Sequence, residues 1–363
     1  MATTYETPAT SLYTHDAYRV SVDEYISFRK NGFLVVRGLV SPEEIQELKS
    51  HTEDLMQGKL PEQQSATLDG PHSGPSGTSV QALAAPPAHL SPEEKADYFL
   101  RLHMLHRQLE LHERYLLHPR VLDVLQALIG PDLLALQTML FLKGPGKPGQ
   151  GWHQDTYYIP THPDSLCGAW IAIDDCDEQN GALWYAKGSQ HEPVYPPTSG
   201  YGFGDHLLGG VESISGASNP DDTQNDLTKI ADRYDHILVS AKAGDVVFFG
   251  GHVLHRSKKN WSTDRFRRSF VGHYCNARSF TQWGREHGED VDDSDLGSNQ
   301  FHILARGDTH LPFAKPRFGT FCAALLDPEQ RKHESEFAAM MMGDMESGMM
   351  GATAADPTLE DDD

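Results

Sequence analysis

"GWHQDTYYIP", Gly151 to Pro160, is the stretch whose reading decides what this chain folds into. It sets a histidine and an aspartate two residues apart, among large aromatic side chains, directly after the Gly/Pro-rich turn "GPGKPGQ". Residues two apart on a strand point the same way. Read as a strand, the stretch brings the His153 imidazole and the Asp155 carboxylate to one point, and Tyr157 continues their face. That is two thirds of a metal site.

The pattern is cheap in a chain with 20 histidines, so context must select among its copies. His51/Glu53 falls on a helix that starts at Ser41, where residues two apart diverge. His162/Asp164 sits in the turn "PTHPD", and His287/Glu289 in the acidic loop "GREHGEDVDDSD". Only His153/Asp155 follows a strand and a tight turn.

The surroundings of that stretch are strand-like. "LLALQTMLFLK", "GAWIAIDD", "GALWYAKGS", "GDVVFFGG" and "RRSFVGHY" are short apolar runs separated by Gly, Pro, Asn and Asp, the pattern of a sandwich or barrel. Upstream, a helix ending near Asn31-Gly32 leads to the strand "FLVVRGL", and "SPEE" opens a helix capped by Ser41. A second "SPEE" at Ser91 opens a run that reads as helical to Gly130, broken at Pro119. The histidines of "RLHMLHRQLELHERYLLH" are read as exposed or capping positions on that helix, not as a second metal site. The expected fold is mainly β with flanking helices: helical over about 21–130, a β core over about 131–280, and one domain over 21–325. An extension (1–20) precedes it, and the Met-rich acidic segment 338–363 is read as disordered. The polar, Gly-rich stretches Pro61–Pro92 and Tyr195–Asp235 are candidate covers for a site.

Composition narrows the function classes. With 30 basic and 52 acidic residues the net charge is -22, a field that disfavours nucleic acid. No apolar run reaches membrane-spanning length, and the N-terminal residues lack a secretory pattern. Cys167, Cys176, Cys275 and Cys322 form no C-x-x-C pair and read as reduced thiols of a cytoplasmic protein. The sequence leaves the oligomeric state open.

A third metal ligand is offered by His252 or His255 in "GDVVFFGGHVLHRSKKN", with His273 further on. His255 follows an apolar run and precedes a basic segment, as at a strand end that opens on a pocket. Two histidines and a carboxylate bound facially leave three positions open, which suits Fe(II) in oxygenases. Zinc hydrolysis is the competing use, but it needs a further base once Asp155 is a ligand. A 2-oxoglutarate oxygenase also needs a buried cation for the distal carboxylate, and arginine binds one bidentately. Arg267 and Arg268 open an apolar strand; being adjacent, they face opposite ways. Tyr157, Tyr158, Trp170 and Trp184 are the aromatic candidates for a pocket wall.

Five blocks now stand in order: "NGFLVVRGLVSPEEIQELK", "HPRVLDVLQALIGPDL", "FLKGPG" with "GWHQD", "GAWIAIDDCDEQNGALWYAKGSQH", and "GDVVFFGGHVLHRSKKN" with "FRRS". From about Asp23 to about Tyr274 the chain resembles the phytanoyl-CoA dioxygenase family, Fe(II)/2-oxoglutarate-dependent oxygenases on a double-stranded β-helix, a jelly-roll, cupin-like core. The resemblance implies Fe(II), 2-oxoglutarate and O2 as cofactor and cosubstrates, a small organic substrate, and a hydroxylated C–H bond with succinate and CO2 released. It implies His153, Asp155 and His255 as metal ligands, and Arg267 and Ser257 as contacts for 2-oxoglutarate, with Gln137 pointing into the pocket. The chain departs from the family pattern at Arg256, where glycine is usual, so a cation is expected to lean over the pocket or turn to solvent. An extra residue before the arginine pair keeps Arg268 as an alternative to Arg267. Asp155 is present where related halogenases carry a small residue, which favours hydroxylation or another oxidative outcome over halogenation.

Overall fold

Alternate residues along the strands belong to two different apolar cores, and that alternation organises the molecule. The computed structural model describes residues 17–64, 85–195, 227–281, 302–308 and 317–318. Most of the two expected covers, the expected tail, most of the N-terminal extension, His287/Glu289 and Cys322 lie outside the described residues.

The strands are β1 (Phe33–Val36), β2 (Arg101–His103), β3 (Leu133–Lys143), β4 (Gln150–His153), β5 (Cys167–Ala172), β6 (Leu183–Ala186), β7 (His236–Val239), β8 (Val246–Gly250), β9 (His255–Ser257), β10 (Arg267–Asn276), β11 (Ile303–Arg306) and β12 (Arg317–Phe318). The major sheet runs β1-β8-β5-β10-β3-β11-β12, with β2 also on β3, and the minor sheet runs β4-β9-β6-β7. This is the double-stranded β-helix of the cupin-like folds.

One face of the major sheet carries Leu34, Val36, Ile171, Val246, Phe248 and Phe270, which pack under the helices. The other carries Phe33, Trp170, Val247, Phe249 and Val271, which meet Tyr185 and Val239 of the minor sheet. Strands buried on both faces read as continuous apolar runs, which is why they stand out in the sequence. The helices follow their signals. Ser21, Ser41 and Ser91 each close a capping box, on Glu24, Glu44 and Glu94. Helix Pro119–Ile129 buries Val121, Leu122, Val124, Leu125 and Leu128 against the sheet, each worth roughly 1.5–3 kcal/mol.

Two sequence expectations are corrected. The run after Ser91 is not a helix broken only at Pro119. Helix Pro92–Ala96 gives way to β2, and helices Glu110–Leu116 and Pro119–Ile129 follow. Arg101–His103 pair antiparallel with Phe141–Met139, and this ladder outweighs the local helix preference. Nor do the histidines of that segment lie exposed on one helix, although His118 is the N-cap residue of helix Pro119–Ile129. His106, His112 and His118 are buried, His112 against His51 and Phe270, and His118 over Glu44.

Candidate metal centre

The stretch that opens the sequence argument is a strand only as far as His153. Asp155–Tyr158 form one helical turn, entered through the extended Gln154. Buried Gln154 secures that change of direction: its amide donates to the carbonyls of Pro193 and His252 and accepts from the Tyr195 N–H. The Thr156 N–H donates to the Gly251 carbonyl. A Cβ on Gly251 would stand 2.1 Å from Thr156 Oγ1, so the β8–β9 turn needs glycine to approach.

His153 and His255 are Cα partners across the β4–β9 pair, and their rings lie 4.1 Å apart. Their Nε2 atoms stand 3.6 and 3.7 Å from Asp155 Oδ1. Among the described residues this is the one group of three or more potential ligands close enough to hold a metal ion. Each imidazole faces a carbonyl through Nδ1, Gly151 at 2.8 Å and Val253 at 3.0 Å. A carbonyl only accepts, so the Nδ1 proton is engaged there and Nε2 is turned to the centre, the nitrogen that would ligate a metal. Burial, then the neighbouring His255, push the His153 pKa down to about 3. Burial opposes ionisation of Asp155, but His255, the His273 hydrogen bond and His153 outweigh it and hold its carboxyl well below the usual range. Two neutral nitrogens and one carboxylate oxygen form a donor set that fits Fe(II).

His255 and Ser257 share one face of β9. Arg267 enters from β10, 2% exposed, with Nη1 on Ser269 Oγ at 3.2 Å and no carboxylate partner among the described residues. Burial pushes its pKa down to about 10. Its guanidinium lies 5.7 Å from the Phe141 ring and 5.9 Å from that of Trp170. Arg268 faces the other way, forked onto Asp174 through two 2.8 Å bonds and reaching Glu53 at 3.1 Å. Beside Arg267 opens a cleft whose lining includes Arg101, Phe141, Lys143, Gln150 and Ser257.

The other sequence-derived site residues are placed as follows. Gln137 donates to His273 Nδ1 at 3.0 Å, and His273 Nε2 reaches Asp155 Oδ2 at 2.8 Å. Tyr157 is buried but does not continue the face of a strand, because the chain has turned. Tyr158, 41% exposed, is the tyrosine whose hydroxyl feels both Asp155 and Arg101. Arg256 is not in the pocket. Alternation along β9 puts it on the opposite face, its guanidinium 4.6 Å from the Trp152 ring and 5.8 Å from that of Trp184. His252 faces away from the cluster, towards Glu192 and Asp164. Lys143 and Arg101 were missed as site residues. Lys143 was legible by alternation, since Gln137, Met139, Phe141 and Lys143 fall on one face of β3, as Arg267, Ser269, Val271 and His273 do on β10.

The comparisons with known proteins fall on the same ground. The rat peroxisomal phytanoyl-CoA dioxygenase is 27% identical over 268 residues, covering 72% of this chain and 70% of the relative. A probable phytanoyl-CoA dioxygenase of Caenorhabditis elegans is 28% identical over 272 residues, covering 73% and 78%. Among solved structures, the non-heme alpha ketoglutarate dependent carbocyclase SnoK from nogalamycin biosynthesis matches with a TM-score of 0.53 at 20% identity, over 74% of this chain and 89% of that one. The non-heme monooxygenase ThoJ matches with a TM-score of 0.53 at 21% identity, over 88% and 95%. These two share the fold. The family model described as phytanoyl-CoA dioxygenase (PhyH) matches residues 28–269. Because that span takes in both sheets' central strands together with His153, Asp155, His255, Ser257 and Arg267, the chain belongs to the phytanoyl-CoA dioxygenase family of Fe(II)- and 2-oxoglutarate-dependent oxygenases.

Proposed function

We propose that His153, Asp155 and His255 hold Fe(II), that Arg267 and Ser257 hold the distal carboxylate of 2-oxoglutarate, and that the enzyme hydroxylates a C–H bond of a small organic molecule, releasing succinate and CO2. The observation that carries this reading is Arg267. A buried guanidinium without a counter-charge is costly, and a dianionic cosubstrate removes the cost at the moment it binds. Iron bound at the three ligands supplies the activation of dioxygen that is coupled to oxidative decarboxylation of the 2-oxoacid. The chain's own residues bind, orient and exclude water. Ser257 presents a hydroxyl beside the Arg267 fork, Phe141 and Trp170 wall the cation, and Tyr158 and Arg101 stand at the Asp155 side. Trp170 thus serves the cosubstrate end of the pocket.

In this reading residues 21–325 form one oxygenase domain, supported by the span of the family match. A cytoplasmic setting is supported by Cys167, Cys176 and Cys275, which are free and buried. No helix among the described residues is long and apolar enough to cross a membrane.

The test is anaerobic titration of Fe(II) and 2-oxoglutarate into the protein, following the visible metal-to-ligand charge-transfer band. Wild type gives the band, His153→Ala and Asp155→Ala lose it, and Arg267→Ala needs far more cosubstrate. A wild-type protein that retains zinc and gives no band overturns the reading.

A further inference from the structure

The two oxygens of Asp155 are not equivalent. Oδ1 faces the Nε2 atoms of His153 and His255, whereas Oδ2 lies 2.8 Å from His273 Nε2. We propose that His273, backed by Gln137, is a positioning residue that holds Asp155 to one-oxygen coordination of the metal. This rests on the assignment of Asp155 as a ligand.

The proton positions follow from the partners. A carboxylate only accepts, so His273 Nε2 carries a hydrogen and donates it to Oδ2. With Nε2 donating, Nδ1 faces the Gln137 amide nitrogen 3.0 Å away, a donor to it. Gln137 thus backs the tautomer in which His273 donates to Asp155.

The fold builds this chain deliberately. Gln137 and His273 are Cα partners on β3 and β10, immediately before the register shift between His273 and Tyr274. Bulges re-aim side chains at such places. Both residues are 3% exposed, so water does not compete for their hydrogen bonds. Neither residue need touch the metal to act. With Oδ2 committed to His273, only Oδ1 is free for the metal, and His153, His255 and one oxygen leave three positions of an octahedron for non-protein ligands. A carboxylate chelating through both oxygens would leave two, one short of what a bidentate 2-oxoacid and dioxygen require. Hydrogen-bonded partners of metal ligands typically contribute 10–100-fold in metal affinity.

The experiment uses Co(II) as the probe, titrated into the full chain with the d–d spectrum recorded, for wild type, His153→Ala, His273→Leu, His273→Asn, Gln137→Leu and the His273→Leu/Gln137→Leu double variant. The proposal expects a weak six-coordinate spectrum in wild type. His273→Leu should weaken Co(II) binding about 10–100-fold and change the band intensity or position. His273→Asn, which keeps a donor, should recover part of both. Gln137→Leu should cost less than His273→Leu and nothing further in its background, because it acts through His273. If His273→Leu does not fold, the Asn and Gln137 variants carry the same comparison, since a purely structural role moves melting temperature without moving the spectrum. Unchanged affinity and spectrum in the folded His273 and Gln137 variants overturn the proposal. Should His153→Ala bind Co(II) like wild type, the ligand assignment itself has failed, and the proposal falls with it.

Discussion

Lys143 Nζ lies 3.0 Å from Ser257 Oγ and 2.7 Å from the carbonyl oxygen of Lys258, with its side chain buried. An ammonium can only donate, so Ser257 accepts from Lys143 and keeps its own hydrogen for another acceptor. In the proposed site that acceptor is the cosubstrate carboxylate. Lys143→Met should raise the KM for 2-oxoglutarate by about 10-fold, in keeping with one charge-assisted hydrogen bond, and change kcat less. Steady-state kinetics with varied cosubstrate measures this, and an unchanged KM removes Lys143 from the site.

Arg267 should trade stability against function. Truncating one partner of a buried charged pair costs about 2–5 kcal/mol, so Arg267→Leu should raise the cosubstrate requirement by roughly 30-fold or more. The same change removes a buried cation that lacks a carboxylate partner among the described residues, so the variant without cosubstrate should melt higher than wild type. Melting curves with and without 2-oxoglutarate read both halves. A variant that melts lower in both conditions contradicts the idea that Arg267 is held in readiness for an anion.

Acid should destabilise the fold through its buried histidines. Burial, with help from Arg101 and His273, pushes His103 down to about 3. Burial also holds His112 well below the ordinary value of 6.5, and lowers His51. The unfolded chain therefore binds more protons than the folded one below pH 6.5. Stability is full above that pH and falls as the pH drops towards the folded values. Urea midpoints should decline from pH 7.5 to 5.5, and His112→Leu should flatten the decline. Equal slopes in the two proteins would clear His112 of the effect.

Arg256 should matter to the fold and not to the chemistry. Its guanidinium stacks on Trp152 and Trp184, and cation–π contacts of this kind contribute about 0.5–2 kcal/mol. Arg256→Met should lower the urea-derived stability by roughly that amount and leave the KM for 2-oxoglutarate where it was. A raised KM in a fully folded variant would return Arg256 to the pocket.

The strands and the metal cluster were legible because burial on both faces makes each strand a plain apolar run, and because only one H-x-D followed such a run. Side-chain direction was harder. Period-2 reasoning carried past His153 misplaced Tyr157, since nothing local in "HQDT" announces that Gln154 will be tied to Pro193, His252 and Tyr195, segments distant in sequence. The same reasoning applied within β9 and β10 separates Arg256 from Ser257 and Arg267 from Arg268, and would have put His273 and Lys143 on the inner face. The histidines after Arg101 looked solvated because their composition is polar. Their burial depends on β2 joining β3 and on helix Pro42–Met56 closing over His112, neither of which is written in that segment.

The pairing of His153 with His255 also fixes when the centre can exist. Two of the three proposed ligands come from β4 and its turn and the third from β9 far along the chain, and the register between these strands sets His153 opposite His255. Contacts of such long sequence separation form late, after the cost of closing the loop has been met. A ribosome-bound chain that has emerged only as far as β8 has two ligands and no site. A metal held by all three would bind the paired strands more tightly than any form in which they are apart, and by mass action would favour the finished barrel.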